Sequence, residues 1–278
     1  MQIIIPGKDK KIIRPAVIFK QAWGICWRNL GRLGVIYLLF NLPIAIFYFT
    51  PMADNLQSQQ LAWPKFIWVF LPILFISIWG HIALLLAAKK ATHLEVYTIG
   101  RSIIRARGFF LKYLGTILLS ALIFIGVSML GSISIAIALA LLLRVNKILA
   151  ALICLFLTVL AVGFLVYFIL RWSLATIVCV LENVQPIAAL KRSLVLVADY
   201  VYPVIGVFCS ILLMYFVCLL PIIIAGAFLD MADNPVQANR IGMIYSVLIN
   251  IILVPFWAVV TILLYEKLKE ATEANVHA

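Results

Sequence analysis

Residues 148–197 read "ILAALICLFLTVLAVGFLVYFILRWSLATIVCVLENVQPIAALKRSLVLV". The first 23 of them, Ile148 to Leu170, carry no charge, and about 20 apolar residues are enough for a helix to cross a bilayer core of roughly 30 Å. Running on unbroken to Leu181 would make a helix of 34 residues, about 51 Å at 1.5 Å per residue and far longer than the membrane needs. Arg171 and Trp172 therefore mark the exit, the Arg among headgroups and the Trp at the interface. Pro186 lacks a backbone donor but suits the first turn of a helix, so a new helix is expected there. Glu182, just upstream, faces the positive end of that helix. The stretch reads as an elbow: exit, turn, then an amphipathic segment carrying Lys191 and Arg192 toward water or anionic headgroups before the next span.

The rest of the chain fits this reading. Of its 278 residues 66% are hydrophobic and 12% charged, whereas soluble domains carry about 25% charged residues. The chain is thus an integral membrane protein. Its net charge of +12 would suggest nucleic acid in a soluble protein, but no basic patch is interleaved with exposed aromatics as single-strand binders require. Basic residues collecting in cytoplasmic loops account for the charge. The five cysteines, Cys26, Cys154, Cys179, Cys209 and Cys218, stand singly in apolar runs with no CxxC pair, which points to packing rather than to disulfides or metal. The N-terminal segment has no apolar core followed by a small-residue cleavage site. The first hydrophobic span is therefore expected to act as the insertion signal.

Six charge-free runs of spanning length follow in order: 33–50, 66–88, 113–143, 148–170, 203–229 and 241–265. They predict an all-α polytopic protein with a lead-in over 1–32, a six-helix membrane domain over 33–265 and a tail over 266–278. The third run, 31 residues, must tilt strongly or break near Gly131 to Ser134. The linker "RVNK" makes helices three and four an antiparallel hairpin. With the N-terminus inside, 18 of the 22 basic residues fall on the cytoplasmic side and only Lys65, Arg144, Lys147 and Arg240 on the other. The positive-inside rule then places both termini in the cytoplasm. Trp23, Trp27, Trp63, Trp68 and Trp172 sit where an interfacial belt would be.

The expected cytoplasmic segments are patterned. Phe19, Ala22, Trp23, Cys26, Trp27 and Leu30 stack on one helical face opposite Gln21, Arg28 and Arg32. Such a helix lies in the headgroup plane or packs on the protein's own underside. Ile103, Ala106, Phe110 and Leu114 form a second stripe opposite Arg101, Arg105 and Lys112, and Ile187, Leu190, Leu194 and Val197 form a third. Three lead-ins, each followed by two spans, suggest three repeats of one unit. Ala22, Ala106 and Ser193 hold comparable places in them, and Leu94-Glu95 echoes Leu181-Glu182.

At these residues a family resemblance emerges. Arg171-Trp172-Ser173-Leu174-Ala175, then Glu182, then Ala189-Leu190-Lys191-Arg192-Ser193 with Leu196-Val197, resembles the signature of a bacterial multi-pass family. Its members occur alone or as the membrane domain preceding some glycerophosphodiester phosphodiesterase catalytic domains. The resemblance implies a six-helix protein of the bacterial inner membrane. The chain departs from the signature at Ile177, where proline is common, at Leu194, where an aromatic is common, and at Ala198-Asp199, where glycine is common. These 278 residues hold no phosphodiesterase domain, so that activity is not carried over.

No metal-binding HExxH pattern, paired acids, nucleophile with its base, or nucleotide fingerprint is present. The chain is therefore read as a non-enzyme without cofactor or metal. Of three histidines, His277 is in the tail, His93 is interfacial, and only His81 lies within a span. Polar and ionisable groups inside spans are functional candidates by default, which makes Asn41, His81 and Asn250 the candidate intramembrane polar site. Two functions remain open. One is a scaffold, assembly or lipid-interacting protein, partnered by anionic headgroups, another protein or its own copies. The other is a small-solute or ion transporter, suggested by Pro43, Pro72, Pro221 and Pro255 interrupting the spans, though no Asp, Glu, Lys or Arg occupies a span core. A continuous polar cavity around Asn41, His81 and Asn250 would favour the second. On helix three, Ser128, Ser132, Ala136 and Ala140 recur at i+4 and are expected to face another helix.

Overall fold

In lipid every backbone polar group must be satisfied within its own segment, so long apolar runs fold as long helices. The computed structural model describes residues 13–48, 63–142, 147–231 and 235–276, and every regular element among them is helical. In chain order these are α1 (Pro15–Tyr48), α2 (Trp63–Thr92), α3 (Ile99–Ala106), a 3-10 turn (Arg107–Phe109), α4 (Phe110–Leu142), α5 (Lys147–Trp172), α6 (Ala175–Glu182), α7 (Pro186–Ala198), α8 (Val201–Met231) and α9 (Pro235–Val276). Five stretches are long and apolar enough to cross a membrane: Phe70–Thr92, Ile99–Ile137, Ala151–Glu182, Val201–Ala225 and Ile244–Ala274. They carry the second to sixth expected spans. The first is the latter part of α1 and runs onto residues outside the described set, as do most of "RVNK", the side chains of Trp63, Lys65 and Arg240, and His277.

Several boundaries differ from expectation. The lead-in is not a separate element, because α1 continues from Pro15 through the first span to Tyr48 without a break. The tail is likewise an extension of α9, with Leu268 and Ala271 buried. Helix three does not break at Gly131 to Ser134, since α4 runs through it; the Ser132 hydroxyl is satisfied inside the helix by donating to Ser128 O at 2.8 Å. The prolines do not interrupt their helices either, as Pro43, Pro72, Pro221 and Pro255 all lie inside continuous ones.

The chain divides into two compact units. Unit 1 comprises Met1–Phe110 and Tyr202–Ala278, and in it α1, α2 and α9 pack on one another. Every residue of α9 from Ala258 to Tyr265 is buried, which fits a helix that is apolar all round and surrounded by others. Leu33 and Ile36 of α1 and Ile82, Leu84 and Leu85 of α2 complete this core. The aromatic stripe of the lead-in packs inward at one end, with the Phe19 ring 5.7 Å and the Trp23 ring 5.8 Å from that of Phe256. Trp23 and Trp27 stack on each other and stay more than half exposed. Helix α8 joins through Phe208, whose ring meets Trp257 edge-on at 5.6 Å.

Unit 2, Leu111–Val201, keeps its core at the elbow. Ala175, Ile177, Val178, Cys179 and Val180 of α6 are buried, as are Ala189, Leu190, Ser193, Leu196 and Val197 of α7. The third stripe therefore differs from the sequence reading: Ile187 is 62% exposed and Ala189 takes its place inside. The long helices α4 and α5 turn large apolar side chains outward, Leu122, Ile148, Leu152 and Phe156 among them. The stripe on α4 is also outward, with Ser132, Ala136 and Ala140 exposed. Helix α4 meets α5 where Gly131 lies, an added Cβ there being 4.0 Å from Ala161.

Candidate functional site

Three spanning helices of unit 1 each place polar residues one turn apart: Tyr37 and Asn41 on α1, Ser77 and His81 on α2, Ser246 and Asn250 on α9. Residues four apart share a helix face, and Asn41, His81 and Asn250 come together around one cavity of about 450 Å³. Tyr37, Ser77, Tyr215 and Trp257 complete its polar lining, and Gly80, Leu84 and Val254 the rest. The cavity therefore joins the three candidate polar residues in unit 1.

Part of the lining is held by the protein itself. The Asn41 amide nitrogen donates to Tyr37 O at 2.9 Å and the Ser77 hydroxyl to Ile73 O at 2.9 Å. Tyr215 donates its hydroxyl to Asn250 Oδ1, while Asn250 Nδ2 reaches Ser246 Oγ at 3.2 Å. Among the described residues the other end of the Asn41 amide, the Tyr37 hydroxyl and the Trp257 indole N–H make no hydrogen bond. Among the described residues, none that lines the cavity is an Asp, Glu, Lys or Arg. Sequence reasoning missed Tyr37, Ser77, Tyr215 and Trp257. The signal for the first two was present, a polar residue one turn before each candidate.

The elbow in unit 2 gathers the signature residues. Helix α5 ends at Trp172, as expected, but the chain resumes as α6 after two residues, with the Ser173 hydroxyl donating to Leu170 O at 2.6 Å. Helix α6 stops because Asn183 adopts a left-handed conformation (φ 56°), which asparagine tolerates better than most residues. Lys112 of α4 holds that turn, donating to Asn183 Oδ1 at 2.8 Å and to its carbonyl at 3.2 Å. Helix α7 begins at Pro186, as read from the sequence. The fully buried Ser193 donates to Arg171 O at 2.6 Å, and Arg192 Nε lies 3.6 Å from Glu182 Oε1. The Arg171 guanidinium sits 4.8 Å over the Tyr167 ring, and the Trp172 ring meets Phe168 at 4.9 Å. Ala189 is buried and Lys191 exposed. These residues form a joint that fixes helices, whereas the polar cavity lies in unit 1.

Elsewhere in unit 1, His93 Nε2 and Glu266 Oε1 are 2.9 Å apart. Nearby in sequence, Tyr97 is buried with Arg32 5.6 Å over its ring. Burial pushes its phenol up to about 12 and the Cys26 thiol up to about 11. Among the described residues no group of three or more His, Cys, Asp or Glu is placed to hold a metal. No family model, curated protein or solved structure matches the chain.

Proposed function

We propose that this multi-pass membrane protein binds an uncharged polar solute in the unit 1 cavity and moves or senses it, rather than catalysing a reaction. The observation that carries this is the meeting of Asn41, His81 and Asn250 from three separate helices on one cavity. A cavity of this size with a few convergent polar groups on an apolar background is the usual form of a small-molecule site. Its lining supplies hydrogen-bond donors and acceptors without net charge. The distribution of basic residues supports both termini in the cytoplasm, and the elbow signature supports a bacterial inner membrane and the family named above.

The test is thermal unfolding of the protein in lipid nanodiscs with a panel of glucose, inositol, urea, glutamate and potassium chloride. At least one uncharged solute should raise the melting temperature in a saturable way, and Asn250→Leu should abolish that rise. No response to any solute, or an undiminished response in Asn250→Leu, would overturn the proposal.

The scaffold reading keeps one observation of its own. Ser132, Ala136 and Ala140 lie exposed along α4, where small residues would let a partner helix or a second copy approach closely. Replacing Ser132 by Leu should leave folding intact but dissociate any such assembly on size exclusion.

A further inference from the structure

The cavity has an apolar neighbour. The outward face of helix α8 bears a shallow open groove formed by that helix alone, from Cys209, Leu212, Leu213, Phe216 and Leu219 together with Tyr215. Tyr215 is also a wall of the polar cavity, where its hydroxyl is bonded to Asn250. One residue thus presents its hydroxyl to the polar chamber while belonging to both linings. The groove side chains face outward, Leu212 71%, Leu213 65% and Phe216 58% exposed, on a helix apolar enough to cross a membrane. If α8 crosses the membrane as its length and composition allow, this face meets lipid.

We propose, building on the cavity reading above, that the two chambers form one site for an amphiphile, with Tyr215 at the junction of its head and tail. The head enters the cavity. It is uncharged, because among the described residues no Asp, Glu, Lys or Arg lines the cavity to balance a formal charge. It is rich in hydroxyls, because the lining offers what a polyol needs. The Asn41 and Asn250 amides can donate and accept, the Tyr37 hydroxyl and Trp257 N–H have no protein partner among the described residues, and the rings of Tyr37, Tyr215 and Trp257 give apolar faces for the C–H side of a polyol. The hydrocarbon tail lies along Leu212, Leu213 and Phe216. The ligand class is a single- or double-chain lipid with a neutral glycosyl-like head, entering sideways from the bilayer rather than from water.

The experiment compares dodecyl glucoside, glucose and dodecane as ligands of the full chain in nanodiscs, by native mass spectrometry and thermal shift, for the parent, Asn250→Leu and Leu213→Trp. Dodecyl glucoside should bind more tightly than glucose by about tenfold or more, the gain expected from burying only two or so methylenes. Asn250→Leu should weaken both. In Leu213→Trp, which fills the groove from an exposed position, the ratio of the two affinities should fall toward one. Equal affinity for glucose and dodecyl glucoside would overturn the amphiphile site and leave the polar cavity standing. Displacement of dodecyl glucoside by dodecane, with no effect of Asn250→Leu, would reduce the groove to a nonspecific tail site and also overturn the proposal. Binding of none of the three would count against the cavity reading together with this one.

Discussion

Ser193 and Glu182 bear different weights within the same joint. Ser193 is completely buried and bonds Arg171 O across 22 residues of chain, so Ser193→Ala leaves that carbonyl short of a partner. A loss of about 1–3 kcal/mol is expected in detergent unfolding. Glu182 and Arg192 are 19% and 34% exposed and 3.6 Å apart, so solvent screens part of their attraction. A double-mutant cycle on Glu182→Gln and Arg192→Gln should show a coupling of about 0.5–1 kcal/mol; strict additivity would mean that the pair contributes nothing. Cys26 bears on pH. Its folded thiol holds the proton to about 11, against an ordinary value of 9.0. The folded state therefore binds more protons than the unfolded one between those values, and stability falls as pH rises through that window. The melting temperature of Cys26→Ala should decline less between pH 9 and 11 than that of the parent. Glu182, Arg192 and Ser193 stood out in the sequence because they break an apolar run. The Lys112 contact to Asn183 was not, since nothing local ties residues 71 apart.

Among the elements, the lead-in helices share a construction that sequence patterning only half revealed. Helices α1, α3 and α7 start at Pro15, Ile99 and Pro186, and each buries completely, or nearly so, a small residue at its eighth position: Ala22, Ala106 and Ser193. The starting proline is also used in the same way once in each unit. Pro186 packs on Gly115, the sixth residue of α4, and Pro15 on Gly206, the sixth of α8; in both cases an added Cβ would lie 3.1 Å from the proline Cγ. Leucine at Gly115 or Gly206 should therefore destabilise by about 1–3 kcal/mol through overpacking. Leucine at Gly31, where nothing lies within 4 Å, should be nearly neutral. Equal effects at all three positions would show that helix propensity, not the proline contact, decides. The spans and the Pro186 start were legible because hydropathy and proline chemistry are local. The continuity of α1 was not, because the change from amphipathic to wholly apolar sequence looks like a boundary and the backbone simply carries the helix across it. Helix α6 was missed for the converse reason, an apolar segment after an interfacial Arg-Trp pair reading as the end of a span.

Taken whole, both units turn large apolar side chains outward, on α2 and α8 in unit 1 and on α4 and α5 in unit 2, and the polar cavity lies in unit 1. The orientation proposed from the basic residues can be checked by introducing a cysteine at Glu95 in a cysteine-free background. Impermeant maleimide should label it in inverted vesicles and not in intact cells, and labelling in intact cells would reverse the topology. The cavity was partly legible, since Asn41, His81 and Asn250 stand out as polar residues in spans. Tyr215 and Trp257 did not, because aromatics are common in such helices and only the folded arrangement turns these two inward.

The four prolines have a mechanical corollary. Each removes one rung from its helix, leaving the carbonyl four residues earlier without its helical donor: Leu39 in α1, Trp68 in α2, Val217 in α8 and Ile251 in α9. These are the four helices that wall the cavity, whereas α4 and α5 contain no proline. Bending compliance is thereby distributed unequally, soft around the chamber and stiff in the other unit. Replacing Pro255 by Ala should restore a rung and slow amide exchange near Ile251, and if the chamber must flex to admit its occupant, ligand association should slow in the same variant.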